Sequence, residues 1–453
     1  MLALASPVFT LPLGAQAPPA GSPVETSVSG DDVTVDGSSQ PLTVADAVEA
    51  ALDHQPRLKA AETRTDAAAA RTTQAGLSRF GRIGATVLYT PWQKPLIVEF
   101  PGIEPYVPPS SFEVKQLQTY ALNASATVPV FTWGALSGQR AAARAEEAAT
   151  RHDVRRTRQQ IEFETRRSFY GAMASEAAVG VAEKGLEQQR AFLATAMSRE
   201  RAGAVARLDV LKAELGVRRA EATLGETRNT ARLAREALAT VTVDPRFRER
   251  PLRYEGPPAT PLPDETEAIR AALASRPDLS ALGRQAESLR LAAKALEGSA
   301  LPSVAVRGEI TQQNDATADV LRSRSRLYQV GFALGWDAVD AKRSRVRARE
   351  LRANESGIRE LARGTAESVA LEVRSALLSA REAGDRLETE RRALAVAEEQ
   401  ARVARLAYRE GLTTAVEAQD AELALTSTEF ALLRATLDLA TAHAELRLAL
   451  GER

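Results

Sequence analysis

The chain has 453 residues, with 59 Lys and Arg balanced by 59 Asp and Glu, so net charge gives no case for a nucleic-acid partner. It has no cysteine, which excludes disulfides, thiolate catalysis, cysteine-ligated zinc and a lipidated N-terminal Cys. Aromatic residues are only 5%, sparse for a compact core, while Ala, Leu, Arg and Glu dominate as they do in long helices.

The first stretch, MLALASPVFTLPLGAQAPPA, is apolar up to Ala15-Gln16-Ala17 and then turns Pro-, Gly- and Ser-rich. It resembles the apolar region and cleavage site of an export signal, although a basic leading segment is missing. Residues 1–40 are therefore expected to be a signal remnant and a flexible lead-in. Nowhere do 18 consecutive apolar residues occur, so no transmembrane helix is expected. If the protein crosses a membrane, it must use strands closed into a barrel.

The structured chain opens with PLTVADAVEAALDHQPRLKA (41–60). Thr43 followed by Asp46 reads as an N-cap with an acid facing the positive end of the helix. GRIGATVLYT (81–90) and YALNASATVPV (120–130) read as strands. In the second, Leu122, Ala124, Ala126, Val128 and Val130 face one way and Asn123, Ser125 and Thr127 the other. Between them, residues 90–111 carry Pro91, Pro95, Pro101, Pro105, Pro108 and Pro109 and are expected to be a long surface loop. From Gly134 to about Met197 there is no proline, which predicts a helix of roughly 95 Å.

At Arg201 the chain reads RAGAVARLDVLKAEL, and at Arg409 it reads REGLTTAVEAQDAEL. Gly203 aligns with Gly411, Asp209 with Glu417 and Ala213-Glu214-Leu215 with Ala421-Glu422-Leu423, a shift of 208 (411 − 203). The opening segment also returns, as PLPDETEAIRAALASRPDLSA at 261–281, with Pro56 matched by Pro277, a shift of 221 (277 − 56). Its Asp264 and Glu267 repeat the cap-and-acid spacing of Thr43 and Asp46. An internal duplication organises the chain. The expected divisions are a first repeat at 41–243, a linker at 244–260 and a second repeat at 261–453.

The second repeat offers strands at 302–310 and 327–336, the latter alternating Tyr328, Val330, Phe332, Leu334 and Trp336 with small or polar residues. Strands of about ten residues with one apolar face, and aromatics near their ends (Tyr89, Tyr120, Tyr328, Trp336, with Trp133 just beyond), fit an outer-membrane barrel. A soluble sheet is the competing reading. Helix is expected from Trp336 onward, broken at Gly411; Gly203 and Gly411 are read as tight turns between helices. The last helix carries two seams, one along Leu423, Phe430, Leu433, Leu437, Ala440 and Ala444, the other along Leu425, Leu432, Leu439 and Leu446. They lie about 200° apart, so this helix needs a neighbour on each side, as in the wall of a tube.

His54, His152 and His443 are scattered and read as helix-surface residues. No phosphate loop, H-E-x-x-H or G-x-S-x-G occurs, so no enzyme, cofactor or metal site is expected.

The doubled order of cap-helix-Pro start, strand running into a long helix (VPVFTWG, FALGWDA) and Gly…Asp/Glu…Ala-Glu-Leu resembles the TolC family of bacterial outer-membrane factors. The resemblance implies a mainly α fold with a small β part: a long antiparallel α-helical barrel plus a transmembrane β-barrel, four strands per protomer and twelve in a homotrimer. It implies an outer-membrane exit duct reaching into the periplasm of a Gram-negative bacterium. Such ducts serve a tripartite efflux pump or type I secretion system, with a periplasmic adaptor (membrane fusion protein) and an inner-membrane RND or ABC transporter. By the same resemblance, Glu417, Asp420 and Asp209 line the periplasmic entrance constriction, and Tyr408 is a gate-latch candidate. The family often carries an Arg two residues after the glycine, where this chain has Thr413. A pore-free coiled-coil scaffold and a periplasmic adaptor are the rival readings; the short-stranded lipoyl-like domain of adaptors has no counterpart here.

Overall fold

A computed structural model describes residues 41–453 except 92, 95, 104, 116–117, 204–205, 257–260, 315–325, 411 and 453. The expected export signal, residues 315–325 between the second repeat's two strands, and Gly411 lie outside the described residues.

The chain opens with helix α1 (Val44–His54), started by a capping box. The Thr43 hydroxyl accepts from the Asp46 N–H at 3.2 Å while the Asp46 carboxylate accepts from the Thr43 N–H at 2.7 Å. Two backbone donors that a helix start leaves orphaned are thereby satisfied. Pro56 then begins α2 (Pro56–Leu77), where its missing N–H is harmless. Strand β1 (Arg82–Pro91) follows, then β2 (Leu96–Phe100), β3 (Ser110–Lys115) and β4 (Gln118–Phe131). The long helix α3 (Ala135–Arg201, 67 residues) turns into α4 (Arg207–Thr242).

The same order returns. Helix α5 (Glu265–Ser275), whose cap Asp264 accepts from the Thr266 N–H at 3.0 Å, leads to α6 (Pro277–Ser299), again opened by a proline. Strands β5 (Ser303–Asn314) and β6 (Arg326–Gly335) precede α7 (Ala338–Arg409, 72 residues) and α8 (Ala415–Leu450). Core contacts repeat with the spacing read from sequence. Ala51, Leu58 and Ile161 cluster in the first repeat. Ala272, Leu279 and Val369, at shifts of 221, 221 and 208, cluster in the second. Leu238 and Leu446 match in the same way.

Much of the buried set is alanine, which lets helix axes approach closely. Helix α8 packs between α7 and α3, which explains its two seams. The segment after α4 is not a free linker: Phe247 is fully buried, and Leu42 bridges Leu252.

The proline-rich stretch departs from the expected loop. Its β2 and β3 pair as an antiparallel ribbon with an irregularity at Leu96/Ile97. The ribbon tolerates the prolines because Pro101, Pro108 and Pro109 stand outside its strands. Pro91 closes β1, an edge strand whose outer N–H groups need no partner within the chain.

Candidate channel wall and entrance

The main sheet has the order β1-β4-β5-β6, antiparallel throughout. The β4–β5 pair crosses from the first repeat to the second and joins the two halves. Register places Ile83, Val87 and Tyr89 beside Ala126, Leu122 and Tyr120. It continues through Ile310 and Val306 to Tyr328 and Phe332. Every one of these side chains shares one face, because successive residues of a strand alternate. A bulge at Pro129/Phe131 then puts Phe131 opposite Val304, so Val130 breaks the alternation expected there.

This apolar face is bare: Ile83 is 82% exposed, Val330 80% and Phe332 83%. No second layer covers it among the described residues. The other face carries Asn123, Ser125, Thr127, Arg307, Glu309 and Gln329. Asn123 Nδ2 donates to Glu309 Oε1 at 2.7 Å, so the polar face builds its own cross-strand network. Aromatics bracket the apolar band. At one end the rings of Tyr89 and Tyr120 lie 5.1 Å apart. At the other, Phe131 and Trp133 meet edge-on at 4.8 Å, and Trp336 donates to the Ala300 carbonyl at 3.3 Å. From Tyr328 to Trp336 is eight residues, ~26 Å along the strand before tilt, close to the ~25 Å lipid band of outer-membrane barrels.

The turn from strand to helix is fixed. Trp133 and Gly134 both adopt left-handed backbone (φ 50° and 80°), and the Trp133 indole donates to the Pro302 carbonyl at 2.7 Å. A Cβ on Gly298 would lie 2.6 Å from the Trp133 carbonyl oxygen, so only glycine fits there.

Among the described residues, strands β1 and β6 each have one unpaired edge. Three antiparallel steps separate them, so β6 of one copy can meet β1 of another antiparallel. Four strands are too few to close alone, since the smallest spanning barrels have about eight.

At the far end of the helices, two turns face the entrance question. Helix α7 ends at Arg409, with Tyr408 in its last turn, and the Leu412 N–H reaches the Ala407 carbonyl at 2.8 Å. Thr414 then caps α8. Its hydroxyl accepts from the Glu417 N–H at 3.2 Å. The Glu417 carboxylate accepts from the Thr413 hydroxyl, from the Thr414 N–H at 2.9 Å and from the Thr414 hydroxyl at 3.1 Å. The Thr413 hydroxyl, then the Thr414 backbone and hydroxyl, hold the Glu417 carboxyl below its ordinary range. Glu417 was expected as a pore charge; its local task is to cap its own helix. The Thr-x-x-Glu spacing at 414–417 is the sequence signal that marks this. Asp420 is exposed one turn along the same helix.

The first-repeat turn is built differently. Gly203 sits at φ 71° and its N–H bonds the Glu200 carbonyl at 2.8 Å, the left-handed stop expected of it. Ala206 begins α4 without any side-chain cap. Asp209, exposed, lies 3.8 Å from the Lys212 ammonium. Across the second hairpin Arg405 meets Glu422 at 2.7 Å, and across the first Arg190 meets Glu221 at 3.1 Å.

Sequence reading missed the buried Arg276, only 2% exposed. It bonds Asp278 at 2.6 Å and also Glu372, near the last carbonyls of α8. Asp278 lies two residues on, but the burial of Arg276 depends on α7 and α8, and Glu372 of α7 is 96 residues away.

A family model described as outer membrane efflux protein matches residues 47–242 and again 268–452. Among solved structures the chain is similar to the outer-membrane channel OprN, at 22% identity over 90% of each chain with a TM-score of 0.70. It is similar to the CmeC outer membrane channel of Campylobacter jejuni at 13% identity, over 90% of this chain and 85% of that one, TM-score 0.74. It is similar to the outer membrane protein VceC of Vibrio cholerae at 19% identity, over 90% and 96%, TM-score 0.68. These likenesses establish the fold. No curated protein sequence matches significantly.

Proposed function

The chain belongs to the outer membrane efflux protein family, and from that premise we propose how it assembles, what it meets and which residues set its entrance. Members of the family are outer-membrane channels rather than enzymes, and this chain is an efflux exit duct of the outer membrane. We assign residues 1–40 to an export leader and lead-in, 41–243 and 261–453 to the two repeats, and 244–260 to the connection between them.

The bare apolar sheet face with two open edges carries the assembly reading. In water such a face would be a large exposed patch and its edges a template for aggregation. Three copies joined β6 to β1 give twelve strands, no edge, lipid outside and the polar network inside. A pore-free scaffold in water has no use for that face. The helices continue the tube into the periplasm, where an adaptor and an inner-membrane RND or ABC transporter deliver cargo.

At the helix tips, Glu417 and Asp420 from three copies place six carboxylates around the opening, with Tyr408 as the latch candidate on α7. Because its hydroxyl and N–H donors hold Glu417 below its usual range, it stays anionic at neutral pH. Such a ring favours cations. Asp209 contributes less, since Lys212 lies beside it.

Purified protein in detergent is expected to run as a trimer and to insert cation-selective conductances into planar bilayers. Glu417→Ala with Asp420→Ala should raise conductance or weaken cation selectivity. A monomer without channel activity would overturn the assembly; trimers with unchanged currents would overturn the assignment of the two carboxylates.

A further inference from the structure

The polar face of the main sheet is unevenly charged. Register sets Arg82 of β1 beside Thr127 of β4, Thr127 beside Arg307 of β5, and Arg307 beside Gly331 of β6. The two arginines therefore stand in one row and on one face, two strands or ~10 Å apart. The next row holds Gly84, Ser125, Glu309 and Gln329.

Both arginines are uncompensated. Each is exposed, and neither has a hydrogen bond or ion pair among the described residues. Arginines on the helices commonly meet a carboxylate, as Arg363 meets Glu360 at 2.8 Å. On the polar face of β5 the one carboxylate, Glu309, is engaged in the row beyond. Its Oε1 accepts from Asn123 Nδ2 at 2.7 Å and from the Thr311 hydroxyl at 3.4 Å, on the side away from Arg307. The row neighbours of Arg307 are Thr127 and Gly331, too short to cover it; a Cβ on Gly331 would meet nothing within 4 Å.

We infer that Arg82 and Arg307 of three copies form an anion-binding belt inside the barrel, a site for carboxylate- or phosphate-bearing solutes passing out. The belt rests on the twelve-strand assembly proposed above, which turns this face inward. Twelve strands ~4.8 Å apart and tilted ~40° enclose a lumen roughly 24 Å across between backbones. The same tilt offsets the Arg82 and Arg307 triads by ~6 Å along the axis, so the belt is two rings of three cations. Guanidinium groups present paired N–H donors that fit carboxylate and phosphate oxygens. Rings of cationic side chains select anions in pores, and a low-dielectric wall concentrates their field in the lumen. The duct is thus charged in opposite senses at its two ends, with carboxylates at the proposed entrance and guanidinium groups in the barrel. A wide belt holds anions in passing and leaves overall selectivity to the entrance.

The full-length protein would be added to one side of a planar bilayer. No helix among the described residues is apolar enough to cross lipid, so the helices stay on that side and the barrel mouth opens to the other. Sodium tripolyphosphate in the far compartment then reaches the belt without passing the helix tips. A reversible block of the current is expected. Arg82→Gln with Arg307→Gln should weaken the block roughly tenfold or more, and each single substitution should weaken it part-way. Arg82→Lys with Arg307→Lys should keep most of it, as should Glu417→Ala with Asp420→Ala. Trimeric channels whose current is indifferent to tripolyphosphate, or glutamine variants blocked as well as the native protein, overturn the belt and leave the assembly standing. A monomer that forms no channel overturns both.

Discussion

The turn between α7 and α8 and the turn between α3 and α4 descend from one duplicated motif, yet they are held by different means. The second is pinned by side chains: Thr413 and Thr414 converge on the Glu417 carboxylate, and Thr414 caps the helix in return. Among its described residues the first has a left-handed Gly203, no cap at Ala206, and an exposed ion pair between Arg207 and Glu200 at 3.5 Å in place of a capping carboxylate. Duplication preserves where a chain turns. How firmly it turns is set by two or three side chains that drift independently. At the entrance proposed above the difference matters, because a turn without a capping side chain yields first when neighbouring helices are displaced.

Removing the pin should have the largest effect. Thr414→Ala takes away the cap and one carboxylate donor, and helix caps of this kind contribute about 1 kcal/mol, up to ~2. Hydrogen exchange in the first turn of α8 should quicken several-fold, with no change in the first turn of α4. Equal change in both turns would show that they open as one unit and dissolve the contrast.

Acid should act next most strongly. The folded Glu417 carboxyl is depressed below its ordinary 4.5, so protons bind preferentially to the frayed turn. Its stabilisation is present above about pH 4.5 and is lost as pH falls through the folded value. A spin label at Leu412→Cys should therefore gain mobility below that pH. A label at Leu208→Cys, next to a turn with no capping carboxylate, should change less. The reverse order would place the acid-sensitive group in the first repeat.

The smallest effect should come from giving the first turn what it lacks. Ala206→Ser creates a Ser-x-x-Asp spacing with Asp209, and should slow exchange at the start of α4 by a factor corresponding to about 0.5 kcal/mol. No slowing would mean that Lys212, 3.8 Å from Asp209, holds that carboxylate away from the cap.

Much of this architecture could be read in the chain before folding. Long helices follow from proline-free runs, strands from two-residue alternation, and the duplication from two constant shifts, all local or periodic signals. The proline-rich stretch misled because proline forbids a central strand but not the flanks of a ribbon. Glu417 was legible as an acid near a turn. Its capping bond is marked by the Thr-x-x-Glu spacing, but spacing alone does not tell whether that carboxylate turns to the helix start or to a pore.

The sequence by itself determined the element types, their order and their doubling, because these depend on spacings of a few residues. Only the tertiary structure decided that β4 pairs with β5 across the repeats, that Arg276 is buried against Glu372, and that α8 is packed between α7 and α3. Those facts depend on groups up to a few hundred residues apart meeting in space. No local pattern encodes such a meeting; the packing of the whole chain does.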